Sequence, residues 1–295
     1  MNKHNVLFII ALLFLTGMTS CAKSKSKEKV EKNIVNTPAE KNLEENNISK
    51  QEEIVKINPE IEKLNKVLVS MTERCKEAIS NGDPEEFLAD LHKVLELETA
   101  FPQDDLSLYY LIDKQHKVSE TYVPKNLVKL EKNDFYVINK ANLYLREDAE
   151  LALREMASAA KKDGITLDVS STYRSYEYQK NLFNYWVSVD GLEEAERESA
   201  RPGTSQHQLG VAIDFGSIDD DYDTTPSGRW MYKNADKYGW SLSFPKGYED
   251  VTGYRWECWH FRYIGVEACK FQKKWFGNIQ QFMLEFIDAW KNYQE

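Results

Sequence analysis

Ser205-Gln206-His207-Gln208-Leu209-Gly210-Val211-Ala212-Ile213-Asp214, read together with Glu257-Cys258-Trp259-His260 further along, decides how the rest of the chain is understood. Arg201-Pro202-Gly203-Thr204 marks a loop before His207, and Gly210 to Phe215 is an apolar strand that carries Asp214. Glycine reaches backbone conformations closed to other residues, so Gly210 lets the chain turn tightly enough for His207 and Asp214 to meet one ion. His260 adds a third donor. Two imidazoles and one carboxylate can hold zinc and leave a coordination position open. Glu257, three residues before His260, can then handle the proton of a metal-activated water.

The other histidines do not compete. Of five in the chain, His4 lies in the N-terminal apolar region, and His92 and His116 have no partners at recognisable ligand spacing. The segment around His260 is less simple. In an extended strand Cys258 and His260 share one face while Glu257 and Trp259 share the other, so alternation alone leaves open which of them faces the metal. No His-Glu-x-x-His helix is present, which excludes the helical zinc proteases.

The pattern of apolar residues outlines the fold. Ile61, Leu64, Leu68, Met71 and Cys75 recur at helical steps, and Phe87, Leu88, Leu91, Val94 and Leu95 carry a second helix. Between them Asn81-Gly82-Asp83-Pro84 is a break, with Asp83 as N-cap and Pro84 at the first helical position. Residues 54–100 therefore read as a helical hairpin, with a spacer or packing role favoured over partner docking. Further on, Leu108 to Ile112 reads as a short apolar strand and Tyr122-Val123-Pro124 as extended chain. Leu145 to Lys162 is a helix ended by Asp163-Gly164, and Leu167 to Ser171 alternates as a strand. A helix rich in aromatics follows from Ser175 to Val187. Strands at Trp240–Phe244 and Trp259–Ile264, a helix at Trp230–Tyr238 and a last amphipathic helix through Ile279, Phe282, Met283, Phe286 and Trp290 complete the series. Strands separated by irregular, helix-bearing connections predict an α+β domain over residues 101–295 with a small, mainly antiparallel sheet flanked by helices.

Three ordered motifs carry a resemblance. Ser205 to Asp214 fits Ser-x-His-x-x-Gly-x-Ala-x-Asp, Glu257 to His260 fits Glu-x-Trp-His, and Tyr173 to Gln179 fits Tyr-Arg-Ser-Tyr-x-x-Gln. Together they resemble the VanY-type D-alanyl-D-alanine carboxypeptidases, a zinc peptidase group that includes L,D-carboxypeptidases and hedgehog-like domains. The resemblance spans roughly Leu108 to Phe276 and leaves the hairpin outside. It implies zinc held by His207, Asp214 and His260, with Cys258 structural and Glu257 as general base and then acid. It also implies Arg174 at a developing oxyanion or on a terminal carboxylate, and Gln179, Ser205, Tyr173, Tyr176 and Trp259 around the substrate. The family usually has proline where this chain has Cys258, a loss that loosens the backbone before His260. The activity implied is removal of the terminal D-alanine from peptidoglycan stem peptides. An L,D-carboxypeptidase or endopeptidase shares these motifs, and a non-catalytic cell-wall-binding lipoprotein is the reading from another class.

The N-terminus suggests where this chemistry happens. Val6 to Leu15 is an unbroken apolar run of ten residues, well short of the roughly 20 that a membrane-spanning helix needs but matching the core of a secretory signal. Thr16 to Ser20 then lead into Cys21, which resembles the lipobox of bacterial lipoproteins, with Met18 where leucine is usual. Residues 1–20 thus read as a signal peptide and 21–53 as a lipidated cysteine with a disordered, polar tether. The expected location is the bacterial cell envelope, anchored to a membrane outside the cytoplasm. A net charge of −10 with no basic stripe argues against nucleic acid as a partner. Cys75, Cys258 and Cys269 remain; the closest pair is Cys258 with Cys269, and no disulfide is inferred.

Overall fold

The chain between its two histidine motifs is held by a five-stranded sheet, and the helices around that sheet follow from where apolar residues recur. The computed structural model describes residues 58–79, 81–100, 104 and 106–294; the signal segment, Cys21 and the tether lie outside the described residues. In chain order the first helices are α1 (Pro59–Ser70), α2 (Glu73–Ala78) and α3 (Pro84–Ala100). The sheet region opens with β1 (Leu127–Lys129), β2 (Val137–Ile138), β3 (Tyr144–Arg146), α4 (Glu147–Lys162) and β4 (Asp168–Ser171). Then come α5 (Tyr176–Asp190), α6 (Leu192–Glu198), β5 (Ala212–Phe215), α7 (Pro226–Asn234), β6 (Trp240–Leu242), α8 (Glu249–Thr252), β7 (His260–Tyr263), α9 (Val266–Trp275) and α10 (Gln280–Asn292).

Strand order in the main sheet is β2-β4-β5-β7-β6, antiparallel throughout except for the parallel β2–β4 pair, and β1 with β3 makes a separate two-stranded ribbon. This is the α+β architecture with a mainly antiparallel sheet that the sequence predicts. Register does the functional work. Asp214 pairs with His260 across β5–β7 and with Ser171 across β4–β5, so two motifs meet on adjacent strands.

Several elements depart from the sequence reading. The first hairpin helix is broken: α1 ends at Ser70 and α2 restarts at Glu73, because the Thr72 hydroxyl caps the amide of Cys75 at 3.2 Å. Leu108–Ile112 is buried as a strand would be, yet forms none. The carbonyls of Leu108 and Tyr110 instead accept from the fully buried Arg262 Nη2, each at 2.9 Å. In α4 the buried face is Ala152, Leu153, Met156, Ala157 and Ala160, while Leu151 is exposed. The strands β1, β2 and β3 and the helices α6 and α9 carry no clear period in the sequence. At two or three residues, such strands are too short for alternation to register.

The hairpin shares a core with everything after it, since Pro59–Glu295 is one compact unit. Phe87 of α3 sits edge-on to Phe271 (5.2 Å), Trp275 (5.1 Å) and Phe286 (5.2 Å), joining α3 to both α9 and α10. Gly82 lies against the Trp275 ring, where a Cβ would come within 2.4 Å of it. Asp83 Oδ1 accepts from Glu85 N at 3.1 Å, so the cap read from the sequence starts α3. All of this makes the hairpin a structural layer. Truncating Phe87→Ala should therefore lower the stability of the whole unit by about 3–5 kcal/mol in a single urea transition. A hairpin that unfolded separately, in a first transition that spared the rest, would contradict this packing.

Candidate metal centre

Each donor reaches the site for a local reason. Ser205 caps a short 3-10 turn, Gln206–Leu209, by accepting from His207 N at 3.3 Å. The turn ends at Gly210 with φ 70, and a Cβ there would press on the Leu127, Pro124 and Arg146 side chains, the first at 2.9 Å. Only glycine allows both the left-handed turn and that close approach, and the chain then enters β5 with Asp214 beside His207. At the other strand, Glu257 to His260 is a turn rather than extended chain, with His260 N donating to Glu257 O at 3.4 Å. That turn puts Glu257 and His260 on the same side, which strand alternation alone could not decide. Cys258 points away and donates its thiol to Asp219 O at 3.3 Å.

His207, Asp214 and His260 offer donor atoms that all lie within 4.8 Å of one another, and each residue is buried. His207 Nε2 is 3.1 Å from Asp214 Oδ2, and His260 Nδ1 is 3.0 Å from Asp214 Oδ1. The remaining ring nitrogens fix the tautomers. His207 Nδ1 donates to the Thr172 carbonyl at 2.8 Å, which can only accept, so Nε2 presents a lone pair. His260 Nε2 donates to Gln206 Oε1 at 3.2 Å, which leaves Nδ1 as the free donor atom. Lone pairs on nitrogen therefore face carboxylate oxygens, and both His207 Nε2 and Asp214 Oδ1 are buried without a hydrogen bond. Orphaned buried acceptors arranged like this are suited to holding a cation between them. Two imidazoles and a carboxylate suit zinc, and the outer hydrogen bonds from Thr172 and Gln206 orient the rings as such a centre needs.

The electrostatics agree. Burial and the Arg174 charge lower the His207 imidazole to about 4, which keeps it neutral and able to ligate at pH 7. Burial opposes ionisation of Asp214, but the Arg174 guanidinium beside it helps hold the carboxyl well below its ordinary range. Glu257 goes the other way. Its burial and the nearby Asp214 carboxylate push it well above the usual glutamate value, and its Oε2 lies 3.5 Å from His260 Nδ1. It makes no part of the donor triad yet stands next to it, with a perturbed carboxyl beside the donors.

The surrounding residues divide into those that face the cavity and those that support it. A cavity of about 330 Å³ is lined by Arg174, Ser205, Trp259, Phe244 and Tyr254 together with the donors and Glu257. Arg174 is half-buried and donates to Asp214 Oδ2 at 2.5 Å and to Ser171 Oγ at 2.8 Å, so its charge is tied to the donor set. Gln179, Tyr173 and Tyr176 are not among the lining residues. Gln179 is fully buried, with its amide donating to Ala200 O at 2.7 Å and its oxygen facing Arg174 Nη1 at 3.5 Å. It therefore braces Arg174 and the 199–200 segment instead of reaching into the cavity. Tyr173 N bonds Tyr144 O, and the Tyr176 ring lies against Gly203. His92 and His116 each pair with one carboxylate neighbour, Glu60 and Asp113, outside the donor triad. Sequence reasoning missed Thr172, Gln206 and Ser171, whose contacts depend on atoms brought in by folding. The only advance signal was that Gln206 sits inside the motif.

The geometry has counterparts. The VanY family pattern, described as D-alanyl-D-alanine carboxypeptidase, matches residues 142–266. The chain is 37% identical over 191 residues to a Bacillus subtilis protein named "Putative carboxypeptidase YodJ", covering 63% of this chain and 69% of that one. It is 29% identical over 179 residues to a D-alanyl-D-alanine carboxypeptidase of Enterococcus faecium, covering 59% of this chain and 56% of that one. Among solved structures, that of the LdcB LD-carboxypeptidase matches with a TM-score of 0.52 and 34% identity over 61% of this chain and 85% of that one.

A buried glutamate whose carboxyl is raised makes the metal-free protein pH-sensitive in a defined direction. The native state binds that proton more tightly than the unfolded chain, so the contribution is fully present below about pH 4.5 and is lost as pH rises through the native value. Glu257→Gln keeps the neutral form at every pH. Chelated Glu257→Gln should match wild type below about pH 4.5 and melt above it at pH 8, by about 2–4 °C for each kcal/mol relieved. Thermal scans across pH check this, and an equal or lower melting point at pH 8 would contradict the buried placement of Glu257.

Proposed function

This chain belongs to the VanY family of peptidases, and on that premise we propose that it is a zinc-dependent D-alanyl-D-alanine carboxypeptidase acting on peptidoglycan stem peptides. One observation carries the reading: three donor atoms converge with two of them left buried and unpartnered, beside a buried glutamate whose carboxyl is raised. His207 Nε2, an Asp214 oxygen and His260 Nδ1 would hold the ion. When bound, zinc supplies a Lewis acid that acidifies water and stabilises negative charge on the scissile carbonyl oxygen.

The protein's own groups do the rest. Glu257 takes the proton as water adds to the amide carbon, and gives it to the amine nitrogen as the carbon–nitrogen bond breaks, releasing the terminal residue. Burial and the neighbouring Asp214 carboxylate raise the Glu257 carboxyl, which makes it a better proton acceptor than an ordinary glutamate. Arg174 places a fixed positive charge at the edge of the donor set, where negative charge develops, and Ser171 and Gln179 hold its plane. Phe244 packs its ring 4.7 Å from His260 and, with Trp259, gives the cavity dry walls that strengthen these interactions.

A second reading within the same chemistry is an L,D-carboxypeptidase, favoured by the likeness to the LdcB structure. Synthetic tetrapeptide and pentapeptide stems separate the two by product mass. The proposal expects release of one D-alanine from the pentapeptide, abolished by a chelator and restored by zinc; release from the tetrapeptide alone would transfer the assignment to the L,D class. Glu257→Gln should retain zinc and lose about 10²–10⁴ in kcat. Unchanged turnover in that variant would remove Glu257 from the mechanism, and absence of any turnover in wild type would favour a wall-binding role.

We also propose export and lipid attachment at Cys21, with residues 21–53 as the tether to the membrane. The apolar run and the small residues before Cys21 support it. Cys21→Ser should move the protein from the membrane fraction to the soluble fraction, and an unchanged distribution would refute the anchor.

A further inference from the structure

Among the described residues, Asn126, Asn142, Ile218 and Asn278 have positive φ without being glycine. Asparagine tolerates the left-handed region; a β-branched side chain does not, and Ile218 at φ 57 is the outlier. Its loop follows Asp214 directly, and Ile218 lines the cavity that holds the donor triad.

The loop is clamped on both sides of Ile218. Before it, Gly216 N donates to Asp168 O at 2.9 Å, and Gly216 lies so close to Tyr222 that a Cβ would come within 2.5 Å of the ring. After it, the Asp219 carbonyl accepts from Tyr222 N at 3.1 Å and from the Cys258 thiol at 3.3 Å. The Asp220 carboxylate pairs with Arg255 Nη1 at 2.7 Å. With both flanks fixed, the turn would be easier for asparagine or glycine, as at the other positive-φ sites. A strained isoleucine here is sustained by the surrounding contacts, and its side chain is what distinguishes it from those residues.

The wall around it indicates what it would touch. Lys140, Ser171 and Arg174 line the same cavity, and Ser170 joins the segments that carry Lys140 and Ile218, accepting from Asn139 Nδ2 at 2.6 Å and donating to Gly216 O. Arg174 and Arg255 are engaged by Asp214, Glu198 and Asp220, whereas Lys140 makes no ion pair among the described residues. A free carboxylate at the end of a peptide is the charge that the Lys140 ammonium attracts, and Ile218 is an apolar group lining the same cavity.

We infer that Ile218 is a specificity-determining residue that limits the terminal residue of the substrate to a methyl-sized side chain. The inference rests on the peptidase reading above and adds the size limit and the residue that sets it. The test compares zinc-loaded wild type, Ile218→Asn and Ile218→Val on stem peptides ending in D-alanine or D-leucine, with melting temperatures measured alongside. Wild type should favour the D-alanine peptide, and Ile218→Asn should narrow that kcat/KM ratio by about tenfold. The same variant should melt at or above wild type, because asparagine accepts the left-handed backbone. Ile218→Val keeps the branched wall and should keep the wild-type ratio. A ratio unmoved in Ile218→Asn, with hydrolysis intact, would overturn this inference and leave the proposed function standing. A lower melting point in Ile218→Asn would show that the isoleucine is not strained and would also overturn it. Wild type that hydrolyses neither peptide would bring down both.

Discussion

Three lone-pair donors are forced together with almost no solvent exposure at the wall of a cavity, and the rest of the site answers to that constraint. His207 Nε2 and His260 Nδ1 each face an oxygen of Asp214 at about hydrogen-bond distance while their protons are committed elsewhere, to Thr172 O and Gln206 Oε1. Without a positive charge this arrangement is repulsive and buried, a combination folded proteins avoid. Arg174 supplies part of that charge from one side, and its pairing with Asp214 shows how strongly the cluster attracts cations. The sheet register, the left-handed turn at Gly210 and the turn from Glu257 to His260 serve the same convergence.

How much of this could be read in advance depends on how local each cause is. The donors, Glu257 and the strand carrying Asp214 stand in short motifs whose residues act on their immediate neighbours, and they were legible. So was the start of α3, because a cap and a proline act within one turn. What folding alone decides was not legible. The Tyr173–Gln179 motif makes Gln179 read as a substrate contact, yet its burial turns it into a brace for Arg174 and Ala200. Leu108–Ile112 has a strand's apolarity, but its carbonyls are claimed by an arginine more than a hundred and fifty positions away. Strand alternation left Cys258 and Glu257 undecided until the local turn settled their directions.

The helices before residue 100 lie outside the matched family region, yet they finish the core beneath α9 and α10. That connection reaches the site. Gln280 at the start of α10 accepts from Gln206 Nε2 at 3.3 Å, and Gln206 orients His260. Arg74 of α2 adds another link by stacking over Tyr248 at 4.5 Å and donating to Gly247 O. A layer that appears peripheral in the sequence thus backs the loops and helix that border the cavity. Packing on this scale carries most of the stability, while the polar contacts choose among geometries.

X-ray absorption at the zinc edge on the purified, zinc-loaded protein tests the central claim most directly, because it reads the donor atoms themselves. The account predicts one zinc per chain with nitrogen and oxygen neighbours at about 2.0–2.2 Å and no sulfur. A sulfur shell near about 2.3 Å would place Cys258 on the metal in place of His260, and the absence of bound zinc would contradict the account altogether.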